Sequence, residues 1–446
     1  MQDFDPPPSN PAAKQLYLAS TSNLKQLLTA TKVNSSKATF LLISPSAGDM
    51  VSTAPKVLVP IADDSEPIEA IITIDVLRRA GADVVVASVG KQLRVEAMLG
   101  IHIIADDALS DVVDTVFDLI VLPVYKGGVP GVDNLRECEA LESLVKRHAA
   151  DGRLYAAACA APAAVLGPWG LLKGLKATTY PSFMEKLAAY TTAVESRVQV
   201  DGKVVTSGGP GTSMEFAIAL VEQLFGKQKA LEIAGPLLMR SNHGDEYTFT
   251  ELNPKSWTFD HPPKVLVPIA NGTEEMEAVM IIDFLRRGEA NVTVASVEDK
   301  LDIVASHKVK LEADVLLHEA AKQSYDLIVL PGGLGGAQAF ANSETLVNLL
   351  KKQRESNKYY GAICASPAFV LEPHGLLKGK KATAFPGLSN QLTEQSEVEK
   401  RVVVDGNLIT SRAPGTVMEF TLTIVEKLFG RKLGLEVATS MGFTSL

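Results

Sequence analysis

Short uninterrupted runs of apolar residues alternate along the chain with longer segments in which apolar positions recur every three or four residues. In the second half of the chain, the apolar runs lie at 265–269, 291–296, 327–330 and 359–363. The segment 274–287 is predicted to be a helix whose apolar face is formed by Met276, Val279, Met280 and Phe284. Uncharged strands that alternate with helices are typical of a parallel sheet covered on both faces. The pattern therefore predicts an α/β fold.

The whole pattern occurs twice. Lys56–Ala62 and Lys264–Ala270 share the sequence KVLVPIA and lie 208 residues apart. Later matches have offsets of 205 and 204, so only short gaps separate the two copies. A period this long is outside the range of solenoid repeats and indicates two duplicated domains. The predicted boundaries are an extension at 1–53, a first domain at 54–236, a linker at 237–263 and a second domain at 264–442.

Composition and charge exclude several classes of protein. The 446 residues are 46% apolar and 21% charged, which is typical of a globular protein. The net charge of −9 lacks the basic character of a nucleic-acid binder, so no nucleic-acid partner is predicted. Three cysteines are too few for a disulfide framework and form no metal-ligand cluster. Since no nucleotide or metal motif is present either, we predict neither a metal nor a cofactor.

One segment is long and apolar enough to resemble a membrane span. Leu154–Leu172 contains no charged residue, but it is rich in Ala and Gly and contains two prolines. Its counterpart in the second copy, Tyr359–Leu377, contains Glu372 and His374. Both segments are therefore predicted to be buried strand-turn-helix units, and no membrane partner is predicted.

The N-terminal extension has the composition of a targeting segment. Pro6–Gly48 contains no acidic residue and is rich in Ser and Thr, and no Arg precedes Arg78. These features are typical of a plastid transit peptide, which predicts a location in the chloroplast stroma. The alternative is a disordered tail without targeting value, with a cytoplasmic or nuclear location.

The candidate functional residues lie just beyond predicted strand ends, where open α/β sheets bind ligands. Glu277, Gly332–Gly333 and Cys364 all have such positions. Cys364 lies between an apolar strand and a helix predicted to begin near Pro367, as nucleophiles do at strand-to-helix elbows. The sequence therefore indicates a site built around this cysteine.

A reactive thiol at Cys364 needs more than the helix. A helix N-terminus stabilises a thiolate by about 0.3–1 kcal/mol, whereas moving a thiol pKa from about 8.5 to about 5.5 requires about 4 kcal/mol. A second donor, such as a protonated carboxyl group, is therefore required. An isolated cysteine is more often structural, but the recurrence of this motif at Cys159 favours function at Cys364. Cys138, on a predicted helix, is interpreted as structural.

These motifs together resemble the DJ-1/PfpI superfamily, and within it the Parkinson-associated deglycase and glyoxalase III branch. The likeness is greatest to tandem-domain plant members, and it covers nearly all of 56–440. In the second copy it is carried by Gly272–Glu277, Leu330–Gly333, Gly361–Ala365 and Thr410–Thr416. The resemblance implies two flavodoxin-like three-layer sandwich domains, of the class I glutamine amidotransferase type, with parallel central sheets. Because the family is usually dimeric, it also implies an intrachain pseudo-dimer, and it leaves homo-oligomers open.

The resemblance also implies a set of roles. Cys364 matches the oxidation-sensitive nucleophile and Glu277 the glutamate that supports its thiolate. Gly332, Gly333 and the amide of Ala365 match the oxyanion donors. The implied activity is cofactor-independent conversion of methylglyoxal or glyoxal to the hydroxy acid, by a glyoxalase III-like hydro-lyase, or removal of glycated groups.

The sequence departs from the family pattern near the cysteine. Ala365 stands where protease and amidotransferase relatives usually carry a histidine, which argues against a peptidase. The glyoxalase branch often has a histidine where Phe385 and Tyr180 stand, and loss of a general acid or base typically reduces the rate 10²–10⁴-fold. His374 is predicted to be a surface loop residue.

The first copy departs further. Val124–Gly128 has lost the Pro-Gly-Gly junction, and Ser207–Pro210 lacks a counterpart of Arg412. Cys159 and Glu69 persist, but their site is predicted to be degenerate and retained for pairing with the second copy. The paired arginines near two helix ends are predicted to be solvated: Arg78, Arg79, Arg286 and Arg287.

Two functions follow as hypotheses. The first is an enzyme of carbonyl and oxidative stress that acts on small α-oxoaldehydes or glycated groups, mainly through the second copy. The second is a catalytically weak or inactive redox sensor or chaperone-like protein needed for plastid development. Phe385 favours the second hypothesis, whereas Glu277 and Cys364 favour the first.

Overall fold

The computed structural model describes residues 54–123, 130–240 and 246–443. Ala54–Leu446 forms one compact unit. The extension at 1–53 and the segment Val124–Gly128 lie outside the described residues, so the predictions made for them stay predictions.

The first repeat is an α/β unit built on a seven-stranded sheet. Its strands are β1 (Lys56–Ile61), β2 (Asp83–Ser88), β3 (Arg94–Ala97), β4 (Ile101–Ile104), β5 (Asp107–Ala108), β6 (Leu119–Leu122), β7 (Leu154–Ala158), β8 (Lys176–Ala177), β9 (Thr192–Ala193), β10 (Val198–Asp201) and β11 (Val204–Ser207). Its helices are α1 (Pro67–Ala80), α2 (Leu109–Val112), α3 (Pro130–Arg136), α4 (Glu139–Ala150), α5 (Met184–Ala188), α6 (Ser213–Phe225) and α7 (Lys227–Leu237). The sheet order is β10-β11-β7-β6-β1-β2-β5.

The second repeat follows the same plan. Its strands are β12 (Thr250–Leu252), β13 (Lys264–Ile269), β14 (Asn291–Ser296), β15 (Asp302–Val304), β16 (Lys310–Glu312), β17 (Val315–Leu316), β18 (Leu327–Leu330), β19 (Tyr359–Ile363), β20 (Val402–Asp405) and β21 (Leu408–Ser411). Its helices are α8 (Glu275–Arg287), α9 (Leu317–Ala320), α10 (Leu334–Asn342), α11 (Glu344–Glu355), α12 (Val417–Phe429) and α13 (Arg431–Ser440). The sheet order is β12-β20-β21-β19-β18-β13-β14-β17.

Both sheets are parallel apart from one antiparallel pair near an edge, β10 with β11 and β20 with β21. The apolar runs predicted as strands in the second half are the strands β13, β14, β18 and β19. The tandem flavodoxin-like fold with parallel sheets is therefore confirmed. Buried strands in parallel sheets read as continuous apolar runs, which is why the sequence pattern identified them.

Two local predictions need correction in detail. The helix predicted to begin near Pro367 does begin there, but it is a single π-type turn, Pro367–Leu371, and Pro162–Leu166 matches it in the first repeat. So short a turn lacks the aligned peptide dipoles of a long helix. Cys138 lies between α3 and α4 rather than within a helix, and its side chain is half-buried.

The two repeats share one apolar core. Helix α1 packs against α8, and the core beneath these helices continues from the first sheet into the second. Strands β4 and β16 also pair antiparallel, with Ile103 opposite Leu311, and join the repeats in a four-stranded sheet. Each repeat has a separate core on its outer face. The inter-repeat layer therefore belongs to both repeats.

The described part of the linker belongs to the second repeat. Strand β12 pairs in parallel with β20 at the sheet edge. Trp257 stacks on Tyr359, with ring centroids 3.7 Å apart. Within 54–123, 130–240 and 246–443, no helix is both long and apolar enough to cross a bilayer.

Candidate active site

The elbow after β19 holds Cys364 in an uncommon backbone conformation. Its φ is 63°, in the left-handed region, and the matching Cys159 has φ 54°. Non-glycine residues held in this region carry strain of roughly 1–3 kcal/mol and cluster at functional sites. The Cys364 N–H donates to the Ser411 carbonyl at 3.1 Å, and the Cys364 carbonyl accepts from the Phe385 N–H at 2.8 Å. These two bonds hold the elbow between neighbouring segments.

Glu277 lies beside the cysteine. It is the third residue of α8 and is completely buried. Its Oε2 accepts from the Gly332 N–H at 2.7 Å, and its carboxyl group is hydrogen-bonded to the Cys364 thiol. The predicted nucleophile and the predicted carboxyl partner therefore lie together.

Burial controls the protonation of this pair. It raises the pKa of Glu277 well above its usual value. It also raises the pKa of Cys364, which the neighbouring Glu277 carboxylate raises further, while the Gly333 N–H lowers it. Because two negative charges side by side in a buried site are unfavourable, the pair carries at most one. With its proton on Glu277, the carboxyl group donates to the sulfur and stabilises the thiolate.

The turn after β18 has room only for glycine. A Cβ on Gly332 would lie 2.5 Å from the Cys364 Cβ and 2.7 Å from Glu277 Oε2. Gly333 has φ 86°, and a Cβ there would lie 2.2 Å from the Gly272 carbonyl oxygen. Only glycine combines this backbone freedom with so close an approach.

The two glycine amides lie at the thiol pair, and their role as oxyanion donors stays a prediction. The Gly332 N–H donates to Glu277, and the Gly333 N–H is directed at the sulfur. The two amides therefore contact the two members of the pair, Gly332 the carboxyl group and Gly333 the sulfur. The role of the Ala365 amide, which directly follows the cysteine and is buried, stays a prediction.

The first repeat contains the same pair in a closed setting. Cys159 is only 1% exposed, against half-buried for Cys364, and it is hydrogen-bonded to the buried Glu69. Burial raises the pKa of Cys159 well above its usual value. The Tyr180 ring lies against Gly209 beside this thiol, and its hydroxyl donates to the Ser440 carbonyl at 3.0 Å. The structure therefore keeps Cys159 covered, and exposure rather than the direction of the pKa shift distinguishes it from Cys364.

This geometry agrees with a comparison against known families. A model described as the DJ-1/PfpI family matches residues 55–223 and 263–427, well over half of the chain.

The chain belongs to the DJ-1/PfpI family.

Curated relatives extend this result. Protein DJ-1 homolog B of Arabidopsis thaliana is 65% identical over 389 residues, covering 87% of this chain and 88% of that protein. Protein DJ-1 homolog A of the same plant is 60% identical over 389 residues, covering 87% of this chain and 98% of that protein. Glutathione-independent glyoxalase DJR-1.2 of Caenorhabditis elegans is 35% identical over 179 residues, covering 40% of this chain and 92% of that protein.

Phe385 is one of the two aromatic residues that depart from the DJ-1/PfpI pattern. The Phe385 ring is directed toward Gly387 in its own loop, where a Cβ would lie 3.2 Å from it. His374 lies elsewhere, with Nε2 3.0 Å from the Ala341 carbonyl oxygen. It lies in a turn and is half-buried.

The prediction of solvated arginine pairs was wrong. Arg79 of α1 crosses to the second repeat and bonds both carboxylate oxygens of Glu274, at 2.7 and 2.6 Å. Arg287 of α8 makes the matching contact with Glu66, at 2.8 Å. Arg78 and Arg286 also donate to backbone carbonyls of the opposite repeat. The pairs therefore join the repeats of this DJ-1/PfpI protein.

Sequence reasoning also missed a polar cluster that exists on one side only. The His307 ring Nδ1 lies 3.1 Å from Asp75 Oδ2, across the repeat boundary, and the His307 backbone N–H donates to Glu275. The Ser306 hydroxyl also donates to Glu275, at 2.8 Å. The matching positions in the first repeat are apolar: Pro67, Met98 and Leu99. The adjacent acids Glu274 and Glu275 were the available signal, because acids in a buried helix start require partners.

Proposed function

We propose that this chain converts small α-oxoaldehydes such as methylglyoxal and glyoxal to hydroxy acids, through Cys364 of the second repeat. The observation that carries the proposal is the buried Glu277 carboxyl group hydrogen-bonded to a half-buried thiol on a strained elbow. Membership of the DJ-1/PfpI family and likeness to a worm protein named as a glutathione-independent glyoxalase support it.

The residues support a route without a cofactor. The Cys364 thiolate attacks the aldehyde carbon to form a hemithioacetal, and the Glu277 carboxyl group supplies the proton to the new oxygen. The Glu277 carboxylate then removes the proton from the former aldehyde carbon to give an enediol, as the adjacent carbonyl oxygen takes up a proton. Return of the proton from Glu277 to the adjacent carbon, with loss of the proton from the hydroxyl group of the former aldehyde carbon, leaves the thioester of the hydroxy acid. Water hydrolyses the thioester to the hydroxy acid and regenerates the thiol. This combines covalent and general acid–base catalysis in one pair of residues.

Because Phe385 stands where the glyoxalase branch often has a histidine, we assign both proton transfers to Glu277. Phe385 has no proton to exchange, and its ring is directed toward Gly387. A single buried carboxyl group can serve both steps because its pKa is raised, which lets it be protonated in the resting pair. Turnover is therefore expected to be slower than in an enzyme that has a histidine at this position.

The test is conversion of methylglyoxal to lactate by the full chain. Cys364→Ala should abolish turnover, whereas Cys159→Ala, at the matching covered thiol, should leave it within about twofold, because only an accessible thiolate reacts. Phe385→His should raise kcat by restoring an acid–base group. Turnover that survives Cys364→Ala, or that requires Cys159, would refute the proposal.

A second candidate function rests on Phe385. If the chemistry has been lost with the histidine, the protein is a redox sensor, with a location in the plastid proposed from the composition of 1–53. Peroxide should then oxidise Cys364 selectively to the sulfenic and sulfinic acids. The parent would show no lactate formation, and mass spectrometry would find the added oxygen at Cys364 but not at Cys159.

A further inference from the structure

The peptide at Gly332 is held from both sides, and one of the two residues that hold it is paired with the opposite repeat. Its N–H donates to Glu277 at 2.7 Å, and its carbonyl accepts from the Glu274 N–H at 3.0 Å. Glu274 directly precedes α8 and is only 5% exposed. Its carboxylate is bonded by Arg79 of the first repeat through both oxygens. Glu274 therefore links the first repeat to the thiol site, because Arg79 bonds its carboxylate and its backbone N–H bonds Gly332.

That carboxyl group also acts on the thiol through its charge. Ionised Glu274 raises the pKa of both Glu277 and Cys364. A negative charge near a thiol disfavours the thiolate, and it does so more strongly where water is excluded. Cys364 and Glu274 thus compete for ionisation.

The surroundings place the ionisation of Glu274 in the physiological range. Burial raises its pKa to about 7, although Arg79 and His307 oppose the increase. The groups that face Glu274 are Arg79 and Asp75 from α1, Ser306 and His307 from the loop after β15, Glu275 and Glu277 from α8, and Cys364 from the elbow. Of these, Asp75 and Arg79 come from the first repeat.

We propose that Glu274, held by Arg79 of the opposite repeat, is a positioning residue that opposes thiolate formation at Cys364 whenever its own carboxyl group is ionised. The first repeat then acts on the chemistry of the second without a working site of its own. The inference rests on the proposed role of Cys364 as the nucleophile and adds the regulation of that same thiol. It concerns thiol reactivity and not aldehyde turnover.

The test is the rate of Cys364 alkylation by iodoacetamide, followed by mass spectrometry of the Cys364 peptide from about pH 5 to pH 9. Glu274→Gln keeps an acceptor for Arg79 but removes the charge. Below about pH 6 its profile should coincide with the parent, because Glu274 of the parent is then protonated and as uncharged as the glutamine of the variant. Above about pH 7 it should alkylate several-fold faster, since each unit of thiol pKa changes the thiolate fraction about tenfold below that pKa.

The chain provides its own matched control. Glu66→Gln removes the equivalent carboxylate from Arg287 on the other side of the pseudo-symmetric interface. It should leave the Cys364 profile unchanged, whereas a general loosening of the interface would alter both profiles. Glu274→Met should reproduce the divergence of Glu274→Gln above about pH 7, because charge rather than hydrogen bonding is responsible.

Three results would overturn the inference: a Glu274→Gln profile that matches the parent at every pH, the same divergence in Glu66→Gln, or a Glu274→Met profile that lacks it. Thermal unfolding of each variant confirms that folded protein is compared. Because no aldehyde takes part, an absence of methylglyoxal turnover would refute the enzyme proposal and leave this result standing.

Discussion

Tyr180 and Phe385 occupy matching positions after the two cysteines and differ by one hydroxyl group. The N–H of each donates to the carbonyl of its cysteine at 2.8 Å. The Tyr180 hydroxyl reaches Ser440 in the opposite repeat, and the ring stays against Gly209 beside Cys159. A phenylalanine cannot make that bond. We therefore expect the hydroxyl to contribute to the different cover of the two thiols.

Replacing Tyr180 should uncover Cys159. In the parent, iodoacetamide should modify Cys159 more than about tenfold slower than Cys364, because a buried thiol reacts only after local opening. Tyr180→Ala should increase the Cys159 rate and leave Cys364 unchanged. Peptide mass spectrometry of a time course distinguishes the two sites.

The control is Phe385→Ala at the matching position, which should leave Cys159 unreactive. Equal rates for both thiols in the parent would contradict the assignment of Tyr180 as a cover. A Tyr180→Ala protein that unfolds would expose all three cysteines, including Cys138, and is recognised by that pattern.

The residues of the site could be found from the sequence only where they follow strand ends. Cys364 and Gly332 lie beyond neighbouring strands of a parallel sheet, so the topology brings them together. The pairing of Arg79 with Glu274 joins positions 195 residues apart on helices of different repeats. No periodicity within one helix records such a partner. Solvation was therefore the wrong reading of the arginine pairs, and His307 was overlooked.

Among the elements, the two sheet edges differ. In the second repeat β12 pairs along β20, which is buried. The matching edge of the first repeat is β10, and no strand covers it within the part of the chain that the structure describes. Val200 of β10 is 38% exposed. An uncovered edge leaves about half of its backbone groups to water.

Hydrogen exchange should therefore distinguish the two edges. Amides of β10 should exchange at least about tenfold faster than those of β20, because exchange at an open edge requires only local opening. Deuterium uptake of peptides that contain 198–201 and 402–405 measures this within one protein. Equal protection would show that another segment or a second copy covers β10 in solution.

The elements were predictable to different degrees for a physical reason. Fully buried strands such as β18 and β19 are continuous apolar runs, and their bounds were read without error. The π-type turn at Pro367–Leu371 was not, because Ser366 and its small neighbours suit a helix start equally well. The Ser366 hydroxyl donates to the carbonyl of Pro331, which directly follows β18, but the first repeat forms the same turn after Ala161.

At the level of the whole molecule, the two repeats share one fold and make matching contacts across their boundary, but they differ in the polar residues placed there. Arg79 and Arg287 make equivalent contacts across the boundary, and β4 pairs with β16 beside them. Only the side that serves Cys364 adds His307, where the other side has Leu99. Asp75 and Arg79 of the first repeat therefore supply charges to the polar cluster on the Cys364 side of the boundary.

This asymmetry should appear in the pH dependence of stability. Burial lowers the pKa of His307, but Asp75 and Glu275 raise it more, to about 9. Because the folded-state pKa exceeds the unfolded value of about 6.5, the imidazolium contribution is complete below about pH 6.5. It is lost as the pH rises through about 9. The melting temperature of the parent should therefore fall between pH 7 and 9.

His307→Leu, which copies the first repeat, should have a lower melting temperature at pH 7 and a flatter profile from pH 7 to 9, because the variant has no proton to lose in that range. The control is His318→Leu, at a histidine whose side chain is 66% exposed, and it should follow the parent. Differential scanning calorimetry at matched ionic strength measures all three proteins. A His307→Leu profile as steep as that of the parent would mean that other groups carry the alkaline loss and that the imidazolium does not join the repeats. A flatter profile in His307→Leu alone would place the pH sensitivity of the molecule at the boundary between its repeats.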